Sequence, residues 1–156
     1  MSGSNMERGL VVAERTDEHR ALLREAGEHA NGANAELVLL RLMTEAEYET
    51  DAETLASIGS VENVSYDSRA VLDAAANDLQ EMARDVLPEN VGVDIVAKAT
   101  DEDDIATAVL DTVADHDCDH VFVLGRHRSP AGKALFGDVA QRIVLDFDGY
   151  VTLNTG

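Results

Sequence analysis

The 156-residue sequence predicts a single doubly wound (Rossmann-like) α/β domain built on a five-stranded parallel sheet in the order 3-2-1-4-5. Three observations predict it. Leu10–Ala13, Leu37–Leu40 and Val121–Leu124 are short unbroken apolar runs, the pattern of strands buried on both faces. Segments with apolar residues at helical spacing separate them. Strands that alternate with helices are parallel and joined by right-handed crossovers. The length suits one domain, in which about 150 residues hide roughly 70% of their unfolded surface. Residues 1–8 are expected to form a flexible leader and residues 9–154 the domain.

The first run, Leu10–Ala13, is expected to be the central strand. Thr16 or Asp17 caps the next helix, whose apolar side carries Leu22, Leu23, Ala26 and Ala30, with a stop at Gly32. Leu37–Leu40 is the second strand. Residues 44–68 are acidic, and Leu55 and Ile58 suggest a peripheral helix over Glu45–Ile58. From Asp67 to Leu87 the stripe is Leu72, Ala75, Ala76, Leu79, Met82, Ala83 and Val86, and Pro88 ends that helix. Val91, Val93, Ile95 and Ala97 alternate with Gly92, Asp94 and Val96, the mark of a strand near the sheet edge. Thr100-Asp101-Glu102-Asp103 has the form of a capping box opening a helix with Ile105, Ala108, Val109, Thr112 and Val113 inward. Val121–Leu124 follows, then a loop rich in Gly, Pro and cations. A helix starts at Gly137 or Asp138, carrying Val139, Ala140, Ile143 and Val144, and Tyr150–Leu153 is the last strand.

Composition excludes several function classes. Lys plus Arg number 12 against 31 Asp plus Glu, a net charge of −19. Such a surface repels the phosphates of nucleic acids and anionic lipids. No run of 18 apolar residues is present to span a membrane. Cys118 is the single cysteine, so no intrachain disulfide forms, and the N-terminus lacks a hydrophobic signal core. The cytoplasm is the expected location. Only Lys98 and Lys133 are lysines, and an acidic shell almost free of lysine is the halophile pattern.

The strongest chemical signal is the segment from Gly125 to Gly137. Arg126, Arg128 and Lys133 concentrate three of the twelve cations there, between a buried strand and a helix N-terminus. Free N–H groups and the positive dipole end of a helix attract an anion, and Gly125, Gly132 and Gly137 let backbone approach it. The other reading is that these cations offset neighbouring carboxylates or serve an interface. The segment is not a P-loop, because six residues separate Gly125 from Gly132 and Ala134 replaces the metal-binding hydroxyl. His116, Cys118 and His120 would share a face in an extended segment, and all are metal-ligand types, but a fourth ligand is missing. Cys before a buried strand is equally a small apolar filler. No G-x-S-x-G elbow is present, and no catalytic constellation is assigned.

Val121-Phe122-Val123-Leu124-Gly125, the glycine-containing loop, and Gly137-Asp138-Val139-Ala140-Gln141-Arg142-Ile143-Val144 resemble the carboxyl half of universal stress proteins. Leu10-Val11-Val12-Ala13 with its helix is similar to their first βα unit, so the resemblance covers about residues 9–154. It implies a stress-response domain, ATP or AMP with Mg2+ as ligands, and a homodimer paired through the C-terminal strand. The family's nucleotide-binding members carry G-x2-G-x9-G-[S/T]. Gly125 matches the first glycine, Arg128 stands at the second, Gly137 matches the last after a one-residue deletion, and Asp138 replaces the hydroxyl. Glu14 corresponds to the family's acidic residue after strand one. The implied site therefore comprises Ala13, Glu14, Gly125, Arg126, Arg128, Gly132, Lys133, Gly137, Asp138 and Val139. The alternative is a homodimeric interaction module whose nucleotide site has decayed.

The charge of −19 makes one direct prediction. Salt at about 1 M screens charges beyond about 3 Å, so self-repulsion fades. Thermal melts in a KCl series should show Tm rising into the molar range; a flat or falling Tm contradicts the halophile reading.

Overall fold

The computed structural model describes residues 7–44, 68–125 and 137–154. In chain order these form β1 (Arg8–Val12), α1 (Asp17–Ala33), β2 (Glu36–Thr44), α2 (Ser68–Val86), β3 (Val93–Thr100), α3 (Ile105–Asp115), β4 (His120–Leu124), α4 (Gly137–Asp146) and β5 (Tyr150–Asn154). The strands pair in the order β3-β2-β1-β4-β5, and every pairing is parallel, as the sequence predicts. β1 begins at Arg8, so the last residue of the expected leader already belongs to the sheet. The peripheral helix expected at Glu45–Ile58 lies outside the described residues.

Side-chain alternation along the strands divides the core into two layers. Val11, Ala13, Leu37, Leu39, Phe122 and Leu124 face α1 and α2, meeting Leu22, Leu23, Ala26, Leu79 and Met82. Leu10, Val12, Val38, Leu40, Val121 and Val123 face the other way, onto Val109, Val113 and Ile143 of α3 and α4. Leu10, Val11 and Ala13 are 0% exposed, so β1 is closed on both faces. No described helix is long and apolar enough to cross a membrane.

Local chemistry sets the ends of the elements. Thr16 caps α1, its hydroxyl oxygen accepting from the His19 N–H at 3.1 Å. The helix passes through Gly32 and stops at Asn34, whose φ of 57° is left-handed. Asn tolerates that region almost as Gly does, and the Ala35 N–H closes the end on the Ala30 carbonyl at 2.8 Å. The expected stop at Gly32 is thus two residues early. The capping box at Thr100 does not form: Thr100 ends β3, and Glu102–Asp104 make a short 3-10 turn with no side-chain cap. Of the expected α2 stripe, Ala75, Leu79, Met82 and Ala83 are buried and Leu72 and Val86 pack partly buried against the core; Val71, outside that stripe, is fully buried as well, and Val144 on α4 is 47% exposed.

Asp119 ties the amino ends of three strands. Its carboxylate accepts from the N–H groups of Glu7 and Arg8, at 3.0 and 3.3 Å, and its own N–H donates to the Arg8 carbonyl. Its carbonyl accepts from the Tyr150 N–H at 3.1 Å, which starts β5. Gly149 allows this approach. A Cβ there would stand 2.8 Å from the Asp119 oxygen and 2.7 Å from the Phe147 ring. Backbone cannot yield as a side-chain end does, so Gly149→Ala should destabilise the fold by about 1–3 kcal/mol. Urea unfolding monitored by circular dichroism checks this, and an unchanged midpoint would contradict the packing described.

Candidate functional site

In an open parallel sheet, ligands gather beyond the carboxyl ends of the strands where the strand order reverses. Here that place lies between β1 and β4. Their ladder runs Gly9↔His120, Leu10↔Val121 and Val11↔Phe122, then stops, although β4 continues to Leu124. Beyond it each strand is held from its other side. The Ala13 N–H donates to Leu40 at 2.9 Å, and the Gly125 N–H donates to Asn154 at 2.8 Å. The two carboxyl ends are therefore pulled towards opposite neighbours, which opens a crevice.

The expected site residues divide accordingly. Ala13 is fully buried in the α1–α2 layer, so it fixes the end of β1 through its backbone rather than presenting a side chain. Glu14 follows at the turn, where its carbonyl accepts from the Thr16 N–H at 2.9 Å. Gly125 closes β4, Gly137 opens α4 with Asp138 in its first turn, and Val139 packs against the α3–α4 layer. Arg126, Arg128, Gly132 and Lys133 lie outside the described residues.

The structure adds a residue that sequence reasoning missed. β2 runs to Thr44, four residues past the apolar run, and Arg41 sits within it on the same face as Leu39 and Met43. Its guanidinium donates to the Leu42 carbonyl and stands 3.9 Å from the Glu14 carboxylate. The two side chains are only 15% and 23% exposed. They line a cleft of about 190 Å3 together with Thr16, Ala75 and Leu79, and an Arg15–Asp78 ion pair at 3.2 Å rims it. The available signal was a lone arginine inside the otherwise apolar seven-residue run Leu37–Met43. A larger cavity of about 340 Å3 lies under Leu87 and Pro88, beside the start of β3. It is at the opposite end of the strands, away from the crevice.

The His116-Cys118-His120 run does not converge. Asp117 has φ of 53°, so the segment is not extended and the three side chains do not share a face. Cys118 enters the α3–α4 layer, and burial raises its thiol to about 11, which disfavours the thiolate that a metal or a nucleophile would require. His120 turns to the other layer, its ring stacked 4.4 Å from that of Phe122 and bonded to the Thr152 hydroxyl at 2.7 Å. Burial, and then the nearby His29, lower its pKa below the usual imidazole value. Among the described residues no group of three or more His, Cys, Asp or Glu is placed to hold a metal. Arg8, which donates to the His116 carbonyl at 2.7 Å and to Glu36 at 3.0 Å, is held further into its charged form by the Glu36 bond.

The comparisons with known proteins agree with the fold. No curated protein matches the chain in sequence. Among solved structures, universal stress protein UspA from Lactobacillus plantarum superposes with a TM-score of 0.64 at 15% identity, covering 96% of this chain and 97% of that one. A universal stress protein in complex with cAMP gives 0.63 at 16% identity, with coverage of 97% and 99%. The universal stress protein from Archaeoglobus fulgidus in complex with dAMP gives 0.55 at 13% identity, with coverage of 96% and 98%. Residues 6–152 match the family model for universal stress proteins, so with this five-stranded sheet and crevice the chain belongs to the universal stress protein family.

Proposed function

We propose that this protein is a stress-response domain that binds a nucleotide of the ATP or AMP kind, with Mg2+ as companion ion, across the β1–β4 crevice. The observation that carries the reading is the break in the β1–β4 ladder, with Glu14 on one side and the start of α4 on the other. The segment between Gly125 and Gly137 contributes Arg126, Arg128 and Lys133 as partners for a phosphate. Solved relatives in complex with cAMP and with dAMP support a nucleotide of this class. Arg128, where the family's nucleotide loop has glycine, would supply a charge-assisted bond; Asp138, where it has a hydroxyl, would need Mg2+ to face a phosphate. A cytoplasmic location and a surface avoiding nucleic acids and membranes go with the −19 charge.

A second reading, a homodimeric interaction module with a decayed site, has its own observation. Val144, Leu145, Tyr150 and Leu153 are exposed by 47%, 73%, 58% and 39% along α4 and the edge strand β5. An edge strand beside apolar side chains invites pairing with a second copy about a two-fold axis. The dimer is compatible with either reading; nucleotide binding separates them.

Two measurements follow. Calorimetric titration of ATP and AMP with Mg2+ should give saturable binding, and Arg128→Ala should weaken it by about 1.5–3 kcal/mol, roughly 10- to 150-fold. Raised affinity in the Arg128→Gly, Asp138→Ser double variant would instead mark a decayed site, and no binding by any of the three at millimolar nucleotide would sink the nucleotide reading. For assembly, light scattering of the intact protein should report a dimer at micromolar concentration, lost on deleting residues 150–156; a monomeric intact protein refutes the edge pairing.

A further inference from the structure

β3 and β5 are the two edge strands of the sheet, and β3 is the longer, with eight residues against five. The Leu37 N–H donates to the Gly92 carbonyl at 2.9 Å, so Gly92 turns its backbone groups towards β2. Backbone groups alternate sides along a strand, and those of Val93, Ile95, Ala97 and Ala99 therefore point away from the sheet. No described residue bonds to them. Open edges are commonly blunted by proline or by outward lysines. β3 has no proline, and its one lysine, Lys98, turns instead to the Thr112 hydroxyl of α3 at 2.8 Å. The cavity of about 340 Å3 lies along the first half of this edge. Val93 and Ile95, both only half-buried, form its floor on the α1–α2 face, and Ala83 and Leu87 stand over it. Leu87 is drawn onto α1 at Gly27, where a Cβ would stand 2.6 Å from it, and this leaves the space beside β3 unfilled.

We propose that the β3 edge takes up an extended segment of a partner protein as a sixth strand, and that this segment alternates apolar and basic residues. Edge and cavity lie two strands from the β1–β4 crevice, so nucleotide binding does not enter. In strand addition, main-chain bonds give affinity and pockets for alternate side chains give specificity. A strand laid beside β3 places every second side chain on the face of Val93 and Ile95, over the apolar cavity, where an apolar side chain is favoured. Its other side chains fall on the face of Val96, which by alternation is also that of Asp94. Asp94 is exposed there, and the Lys98 ammonium on the same face is engaged by Thr112. On the cavity rim Arg84 and Glu89 offset one another, while the carbonyl end of α2 adds partial negative charge. The chain as a whole carries −19, which draws in a basic strand. A second copy of this chain would bring the same negative charge to the same edge.

The probe is a capped heptapeptide that alternates arginine with valine and leucine, titrated into isotope-labelled protein at a KCl concentration that keeps the chain folded. Saturable binding should shift the amide NMR signals of Val93, Ile95, Ala97 and Ala99 and slow their hydrogen exchange. Shifts confined to other surfaces overturn the edge assignment. N-methylation of one alternate set of peptide amides should abolish binding, and methylation of the other set should leave it within about twofold. Equal loss from both sets overturns strand addition. The same peptide with glutamate for arginine should bind roughly fivefold more weakly; equal or tighter binding overturns the basic partner. On the protein, Gln80→Trp fills the cavity from its rim, and Ala97→Pro removes an outward N–H while sparing the ladder to β2. Each should weaken the peptide by about fivefold or more. Unchanged binding in both, with both melting as the wild type does, overturns the assignment to this groove. A dimer that Ala97→Pro dissociates gives the edge to a second copy instead, and no binding at millimolar peptide overturns the partner altogether.

Discussion

The structure depends on the burial of β1 from both sides. A strand with Leu10, Val11 and Ala13 at 0% exposure cannot sit in a sheet with one wet face. Helices must cover both faces, and parallel strands need crossovers long enough to be those helices. The α1–α2 layer and the α3–α4 layer are the two covers. The order β3-β2-β1-β4-β5 follows when the chain builds outward from a central strand in one direction and then in the other. The reversal leaves β1 and β4 as neighbours whose following segments lead to opposite faces, and that is why a crevice opens at their carboxyl ends. The candidate site is therefore a consequence of how the central strand is buried.

This dependence explains what was legible in the sequence. Burial on both faces writes itself as an unbroken apolar run, so the strands at Leu10, Leu37 and Val121 could be read directly, and with them the sheet order. Edges and ends were less legible because other forces set them. The stop of α1 depends on Asn34 adopting a left-handed φ, which Gly32 could also have done. The Thr100 capping box had suitable residues, but β3 pairs with β2 through Thr100 and takes that residue into the ladder. The His116-Cys118-His120 pattern was real in sequence and was dispersed by one residue, Asp117, with positive φ.

The site was half legible for a related reason. Gly125, Gly137 and Glu14 flank strand ends, so motif and topology located them together. Arg41 was hidden because an arginine after Leu37–Leu40 looks like the end of a strand. It is instead an interior position of β2, where alternation turns its side chain to the α1–α2 face. A buried guanidinium is costly unless paired, and Glu14 is an acid beside it. Each of the two makes the other tolerable at the end of an apolar core.

Charges of both signs also enter this chain's sequence where its family's loop has uncharged residues. Arg128 in place of glycine adds a positive charge, and Asp138 in place of a hydroxyl adds a negative one, so the net charge of the segment is unchanged. Arg41 beside Glu14 pairs opposite charges at the carboxyl ends of β1 and β2, and Arg15 beside Asp78 does so at the rim of the cleft. In a protein of charge −19 an unpaired acid near a phosphate would add to a field that already repels the ligand. Paired charges cancel at long range yet keep directional donors and acceptors at short range. Such pairs present directional hydrogen-bonding groups to a neighbour without adding net charge.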